Sequence, residues 1–599
     1  MDCIETRLFF NTLFKYSATN MKNEEKNLEA LRHSLSHVLM QALENLFKAV
    51  PGVGPAIENG FYHDFDAEHK MSEGDLIRVE EEMRKIIKEN LEIEKSEMTA
   101  DKAIELLREK KYVYTAELAR DLKKEGEGTL TFFRQGDFIN MCKGPHLAAT
   151  GKINPDAFKL TKLAGAYWKG DEKNKMLQRI YGVAFGTKTE LEEYLKIQEE
   201  AEKRDHRKLG KELDLFSFHD VGPGFPFFKP KGMIIWNELL DFWREIHRQA
   251  GYDEIKTPIM LSRKLWEISG HWMNYRENMY ESKIDDMEFA IKPMNCPGGM
   301  LIYKEGIHSY RDLPLRMGEV GLVHRHELSG VLSGLFRVRQ FHQDDAHIYM
   351  RPDQIKEEIL GVLSLAEKIY SIFGLTYHLE LSTRPEKSIG TDEAWETATA
   401  GLKEALDAIG REYKINEGDG AFYGPKIDVH IKDAIGRTWQ CGTIQLDMNM
   451  PERFDLHYID SDGGEKRPVM IHRVIYGSVE RFFGILIEHF AGAWPVWLSP
   501  VQVKIISVGE KHTEFSLKLK KELEEEGIRA ETDTGDETVG NKIRKASGEK
   551  IPYVIVIGDK EMGGEKLAVR VRGIKELKLM VKEELIGEVK KKIEKRLME

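Results

Sequence analysis

Residues 335–349 read LFRVRQFHQDDAHIY, and their odd positions give Leu335, Arg337, Arg339, Phe341, Gln343, Asp345, His347 and Tyr349. A period of two predicts a β-strand with these side chains along one face. At about 3.3 Å per residue, Arg337 to His347 would span roughly 33 Å, enough for a nucleotide and a small second substrate laid end to end. A solvated strand face is the plainer alternative. Upstream, HRHELSG (324–330) adds a second basic run with a turn-like Ser-Gly. Cys296, in KPMNCPGGM (292–300), and His472, in HRVIYGSVERFFG (472–484), are candidates to join His347. One thiol and two imidazoles make a sound set of three protein ligands for zinc, with the fourth position open to substrate. Separations of 51 and 125 residues carry no local signature, so a buried thiol with two surface histidines stays open on these residues alone. A second set lies nearer the N-terminus. His33 and His37 are four apart on a predicted helix and share a face. Cys142 and His146, in NMCKGPH, repeat that spacing, which suits a second metal or ordinary surface histidines.

These residues are spread over a chain of 599, too long for one core, and three or four domains are expected. Hydrophobic residues make up 41% and charged residues 32%, a soluble composition, and no run of about 18 apolar residues predicts a membrane span. Cys3, Cys142, Cys296 and Cys441 lie too far apart for a disulfide framework, which points to a reducing, cytoplasmic setting. A net charge of −12 argues against wholesale coating of nucleic acid, although a local basic site remains compatible with it. The first twenty residues lack a basic n-region and a cleavage site, so no signal peptide is expected, and translation starting at Met21 is an alternative to Met1.

Helical, turn and strand patterns alternate up to about residue 186 and predict a first α+β domain (25–186) behind an N-terminal extension (1–24). Residues 187–213 are polar nearly all round, as befits a helical connector. GPGFPFFKPKG (222–232) lies at the entry to a long unit, 214–495, that holds the opening segment. From 496 to 599, strand-like VKIISV, IRAETD and PYVIVIG alternate with helical stretches and predict a small α/β domain.

MNCPG, SYRDLPLRMGE, LFRVRQFHQDDAH, STRPEK, AFYGPKID, WQCGTIQLD and IHRVIYGSVERF occur in that order. With them the sequence resembles, from about residue 25 onward, the class II aminoacyl-tRNA synthetases, and within these the threonyl-tRNA synthetase family. The resemblance implies an antiparallel-sheet catalytic core (214–495), an α+β editing domain (25–186) and an α/β anticodon-binding domain (496–599). It implies a ligase that activates L-threonine with ATP and Mg²⁺ and charges tRNA(Thr). KTPIM, with Pro258, matches motif 1 and implies a homodimer. HRHELSG with the strand after it matches motif 2, and GSVERFFGILIE matches motif 3. Cys296, His347 and His472 fall at the zinc-ligand positions, one Zn²⁺ per chain. Arg325 then binds the α-phosphate, Glu327 and Phe341 hold the adenine, Arg481 caps its other face and Arg337 meets the distal phosphates. Gln343, Asp345, Tyr423, Gln440 and Ser478 fall where the family binds threonine. His271, in GHWMNY, falls at the position assigned to accept the proton of the terminal ribose hydroxyl, a task for a group titrating near neutrality.

A zinc has a physical rationale. Threonine and valine are nearly isosteric, and an apolar pocket separates them only about 10²-fold. A Lewis acid that binds the amino nitrogen and the hydroxyl together excludes valine. Serine keeps the hydroxyl, and losing one methyl costs only about 1–3 kcal/mol, so a serine error must be repaired elsewhere. By resemblance, His33, His37, Cys142 and His146 line the pocket that hydrolyses seryl-tRNA. Asn140 stands where bacterial relatives are expected to carry Asp, and Gly299 where the family's MNCPGH has His. Glu561 and Arg570 fall at positions that read anticodon bases. A binding protein on a dead synthetase scaffold is disfavoured because Arg325, Arg481 and all three proposed zinc ligands are present. The ligand set also disfavours a proline or serine enzyme of the same subclass.

Overall fold

The computed structural model describes residues 26–598. The proposed N-terminal extension (1–24) lies outside the described residues, as does Cys3. The chain divides into two compact units at Glu199/Glu200. Among the described residues no helix is long and apolar enough to cross a membrane.

In the first unit, the helix at 26–47 places Leu31, Leu35, Val38, Leu39 and Leu43 in one buried cluster with Phe61, Phe65 and Ile180. The i, i+4 and i+7 spacing of these apolar residues gives the stripe that packs them. The sheet below runs Val50–Pro51, Gly60–Asp66, Met176–Ala184, Phe158–Tyr167, and Ala56–Ile57 also pairs with Gly60–Asp66. A separate three-stranded sheet, Ile93–Thr99, Thr129–Gln135 and Phe138–Met141, packs with the helices Ala100–Glu109 and Val113–Lys124 around its own core. The hairpin 129–141 ends where Cys142 begins. The expected polar connector is two helices, Lys188–Arg204 and His206–Glu212, separated at Asp205, whose carboxylate caps the second by accepting from Arg207 N.

The second unit is built on an eight-stranded sheet in the order Asp253–Glu254, Leu315–His324, Gln340–Met350, Val469–Val474, Thr438–Asp447, Lys426–Lys432, Thr376–Ser382, Tyr413–Asn416. Its central pairings are antiparallel, and only the two outermost pairs are parallel. The expected strand through 335–349 is shorter than its pattern. Ladder pairing starts at Gln340 opposite His324, and Arg337 and Arg339 precede it. Arg337 instead closes a turn by exchanging backbone hydrogen bonds with Ser333. Within the strand the alternation holds. Ala346, Ile348 and Met350 enter the main core, which also takes in the helices Pro230–Gln249, Ile355–Ile372, Asp392–Ile409 and Val479–His489. Asp345, His347 and Tyr349 lie on the other face. The C-terminal sheet, Ala530–Asp533, Val503–Ser507, Tyr553–Ile557, Lys566–Val571, Lys578–Val581, is parallel over its first three strands and antiparallel beyond, as expected of an α/β module.

One buried ion pair locks the segment around Pro258 to the sheet. Lys292 Nζ donates to Glu319 Oε1 at 2.9 Å and to Thr257 Oγ1 at 2.8 Å, and Glu319 Oε1 also accepts Thr257 N at 2.8 Å. All three side chains are excluded from water. Replacing Lys292 by Met strands the Glu319 carboxylate, and such a broken buried pair costs about 3–5 kcal/mol. The expected outcome is a lowered thermal midpoint of the second unit. An unchanged midpoint would remove the network from the forces holding this segment.

Candidate active site

The cross-strand register sets the first site. His347 pairs directly with His472, and their rings meet edge to face at 5.1 Å between centroids. Cys296 is the first residue of the helix Cys296–Lys304, where Pro297 fits because its missing N–H costs no helical bond. One ligand atom from each of Cys296, His347 and His472 lies within 4.8 Å of the others, and all three residues are buried. Nε2 of His347 has no hydrogen-bond partner. Nε2 of His472 is held by Asp447 Oδ2 at 2.9 Å, which leaves its Nδ1 free. Asp447 in turn accepts Asn449 N and Met450 N. A ring nitrogen held by a carboxylate is the usual arrangement behind a metal-ligating histidine. Burial, with the carboxylates of Asp345 and Asp447, pushes the Cys296 thiol well up, and burial pushes His347 well down. Without a cation the cluster is therefore a neutral thiol beside a neutral imidazole, and a divalent cation is what favours the thiolate. The donor set fits zinc.

A cavity of about 330 Å³ opens beside it, lined by Cys296, His472, Gln343, Asp345, Tyr423 and Arg325 among others. Thr443 and Gln445 also line it, and neither stood out in the sequence. Tyr423 O–H donates to Gln445 Oε1. Counting by twos back from Asp447 along 438–447 finds both. The two other expected threonine contacts lie elsewhere in the network. Gln440 Nε2 donates to Asp428 Oδ1 at 2.6 Å. Ser478 caps the helix Val479–His489 by accepting Arg481 N at 3.2 Å, and bridges Gln343 through the backbone.

Of the expected nucleotide residues, Arg325 lies over the Phe341 ring at 5.1 Å and lines the cavity. The Glu327 carbonyl accepts Arg339 Nε at 2.9 Å. Arg337 is exposed on its turn. Arg481 Nε is buried without a partner, a donor still open to a ligand. His271 departs from expectation. It is fully buried, Nδ1 sits 2.8 Å from Ser269 Oγ and Nε2 2.9 Å from Met294 Sδ. Burial pushes it down to about 3, so it does not titrate near neutrality.

In the first unit His33, His37, Cys142 and His146 do converge, with ligand atoms within 4.8 Å of one another. Cys142 Sγ lies 3.1 Å from His33 Nε2 and 3.2 Å from His146 Nε2, and Ser34 Oγ lies 3.3 Å from His146 Nδ1. The cluster borders a cavity of about 370 Å³ that Asn140 and His63 also line. Burial pushes His33 down, His37 well down and His146 to about 3. At the C-terminal end, Glu561 caps its own helix by accepting Gly558 N at 3.0 Å, and Arg570 is exposed on the strand Lys566–Val571.

Residues 280–490 match the tRNA synthetase class II core domain (G, H, P, S and T), 502–592 an anticodon binding domain, and 130–181 the threonyl and alanyl tRNA synthetase second additional domain. Fold and site together are those of a class II aminoacyl-tRNA synthetase. The threonine–tRNA ligase of Acetivibrio thermocellus is 60% identical over 95% of this chain and 89% of its own length. That of Carboxydothermus hydrogenoformans is 58% identical over 95% and 90%. The chain belongs to the threonine–tRNA ligase family. A solved domain of threonyl-tRNA synthetase from Cryptosporidium parvum is 43% identical with a TM-score of 0.63, over 65% of this chain and 98% of that one. The prolyl-tRNA synthetase from the same organism, 17% identical with a TM-score of 0.51 over 65% of this chain and 75% of its own, shares the fold.

Burial also pushes the Cys142 thiol from an ordinary 9.0 up to about 11. At pH 8 that leaves on the order of a hundredfold less thiolate than an ordinary cysteine would have. Alkylation of Cys142 in the folded chain should run at least tenfold slower at pH 8 than in urea and should rise steadily to pH 10, read by mass spectrometry. Equal rates in both states would show a thiolate at this position.

Proposed function

We propose that residues 214–495 activate L-threonine with Mg²⁺-ATP through a zinc held by Cys296, His347 and His472, and that residues 25–186 hydrolyse seryl-tRNA(Thr). In the same reading 187–213 connect the two and 496–599 bind the anticodon of tRNA(Thr), with Glu561 and Arg570 facing bases. The protein works as a cytoplasmic homodimer, with Pro258 in the motif 1 segment.

The observation that carries this reading is the convergence of the three donors, two of which, Cys296 and His472, line one cavity with Asp345 and Gln343. A zinc bound there supplies a Lewis acid for the amino and hydroxyl groups of threonine. Asp345 presents a buried carboxylate, fixed by Asn295 Nδ2 at 3.2 Å, that accepts from the substrate. Tyr423, with its hydroxyl committed to Gln445, fills the wall. Valine brings no hydroxyl and leaves this polar lining unpaired, a larger penalty than apolar contacts alone can exert. Arg325, Arg337 and Arg481 offset the charge that builds as the threonine carboxylate attacks the α-phosphorus and pyrophosphate leaves. Phe341 and Glu327 hold the adenine. Met294 lines the cavity and contacts His271, whose role is to position it, because a group held near 3 is a poor proton acceptor.

Serine passes the metal test, which calls for the second site. There the neutral imidazoles of His33, His37 and His146 orient water toward the ester carbonyl, and Cys142, a neutral thiol, donates or accepts hydrogen bonds. Water adds, the ester C–O bond breaks, and serine and the free ribose hydroxyl leave.

The test is ATP–pyrophosphate exchange with threonine, serine and valine, run with a zinc assay. Expected are about one zinc per chain, strong exchange with threonine, weaker with serine and none with valine. Exchange without bound zinc would overturn the metal reading. Replacing Asp447 by Ala should weaken zinc about 10–100-fold in chelator competition. A wild-type affinity in that variant would place the metal elsewhere.

A further inference from the structure

His63 belongs to no motif of the sequence. It lies on the strand Gly60–Asp66 between Phe61 and Phe65, at the parity that faces the core, and it is fully buried. A buried polar group needs a partner on each hydrogen-bonding atom. Nδ1 has one, Ser36 Oγ at 3.0 Å, and Nε2 has none in the protein. His63 borders the same cavity as His33, His37 and Cys142.

The partners of Ser36 decide which nitrogen carries the proton. Its Oγ also lies 2.8 Å from the Gly54 carbonyl and 2.9 Å from the Tyr62 carbonyl, two groups that only accept. The hydroxyl proton must go to one of these oxygens, because otherwise three oxygens would face each other with no hydrogen between them. His63 Nδ1–H is therefore the donor to Ser36, and Nε2 carries the lone pair. Gly54 keeps this arrangement tight. A Cβ there would lie 2.0 Å from His63 Nδ1 and 2.3 Å from Ser36 Oγ. Burial pushes His63 down to about 3, so the ring stays neutral at physiological pH. His63 is not among the four residues, His33, His37, Cys142 and His146, whose ligand atoms converge.

We propose that His63 Nε2 is a specificity-determining acceptor, which takes a hydrogen bond from the side-chain hydroxyl of the aminoacyl ester in this cavity and so favours a hydroxyl-bearing ester over an apolar one. The inference rests on the hydrolytic reading of the cavity. Binding is selected by an acceptor that a hydroxyl satisfies and a methyl group leaves stranded.

The experiment compares hydrolysis of seryl-tRNA and alanyl-tRNA, both on tRNA(Thr), by the full chain and by its His63→Phe, His63→Gln and Ser36→Ala variants. The wild type should prefer the seryl ester. His63→Phe should lower the seryl/alanyl ratio of kcat/KM at least tenfold, chiefly through the seryl KM. His63→Gln, whose amide oxygen can stand near Nε2, should recover part of the ratio, and Ser36→Ala should lose less of it than His63→Phe. Threonine activation should be unchanged in all of them, and circular dichroism and thermal melting of each full-length variant should match the wild type, which shows the first unit folded. Equal losses on both esters would make His63 a water-orienting group and overturn the proposal, as would an unchanged ratio. A wild type that hydrolyses neither ester would instead overturn the hydrolytic reading itself.

Discussion

The second unit depends on one strand, Gln340–Met350, being paired on both sides in a single register. Its parity divides two tasks. Ala346, Ile348 and Met350 enter the core, while Gln343, Asp345 and His347 line the chemistry. A slip by one residue would exchange the two sets and separate His347 from His472. The same strand holds the nucleotide side through Asp344, which accepts the backbone N–H groups of Ile475, Tyr476 and Gly477. That turn leads to Ser478, the cap of the helix bearing Arg481. Burial pushes Asp344 up to about 7, against these donors and the Arg473 charge, so the turn depends on all three bonds being made. The proposed metal ligand His347 and the helix bearing Arg481 thus share one structural origin.

The alternation in FHQDDAHIY was legible because side-chain parity is a local property. The start of the strand was not. Arg337 and Arg339 continue the period, but Gly334 at φ 48° and the Ser333–Arg337 pairing turn the backbone before ladder bonding begins. Periodicity sees side chains and is blind to where hydrogen bonding to the neighbour starts. Gln440 and Gln445 show the same limit. They are five apart, so simple alternation puts them on opposite faces, but the bulge opposite Val429 and His430 skips one residue and returns Gln440 to the face of Thr443 and Gln445, where it reaches Asp428. The three-part fold was readable from residue order and the family resemblance, whereas the separations of Cys296, His347 and His472 carry no local signature and only the cross-strand register brings them together. Asp447 was visible as a letter, but its role behind His472 is a tertiary fact. His63 is the extreme case, because FYHDFD reads as an aromatic strand and nothing local marks its histidine as buried with one unpaired nitrogen.

The chain uses one cysteine with several histidines twice, and the surroundings give the two sets different chemistry. Around Cys296 a carboxylate holds one imidazole and a second imidazole nitrogen has no partner. That arrangement leaves lone pairs to be shared with a cation, and supplies negative charge behind the ligand to offset it. Around Cys142 the thiol itself sits between His33 and His146, and among the described residues no carboxylate hydrogen-bonds His33, His37 or His146. Those lone pairs are partly spoken for, and the one carboxylate that acts on His33, Glu29, does so through space and without a hydrogen bond to the ring. The balance there favours neutral hydrogen-bond chemistry on water. The difference follows from the partners each fold supplies, since the residue types are nearly the same. Under the proposed function, selection by a metal in one unit and by neutral acceptors in the other would also suit their substrates. On that reading the metal site would have to separate a hydroxyl from an isosteric methyl before the amino acid is esterified, whereas the other would meet the ester already formed and need only to hold its hydroxyl and admit water.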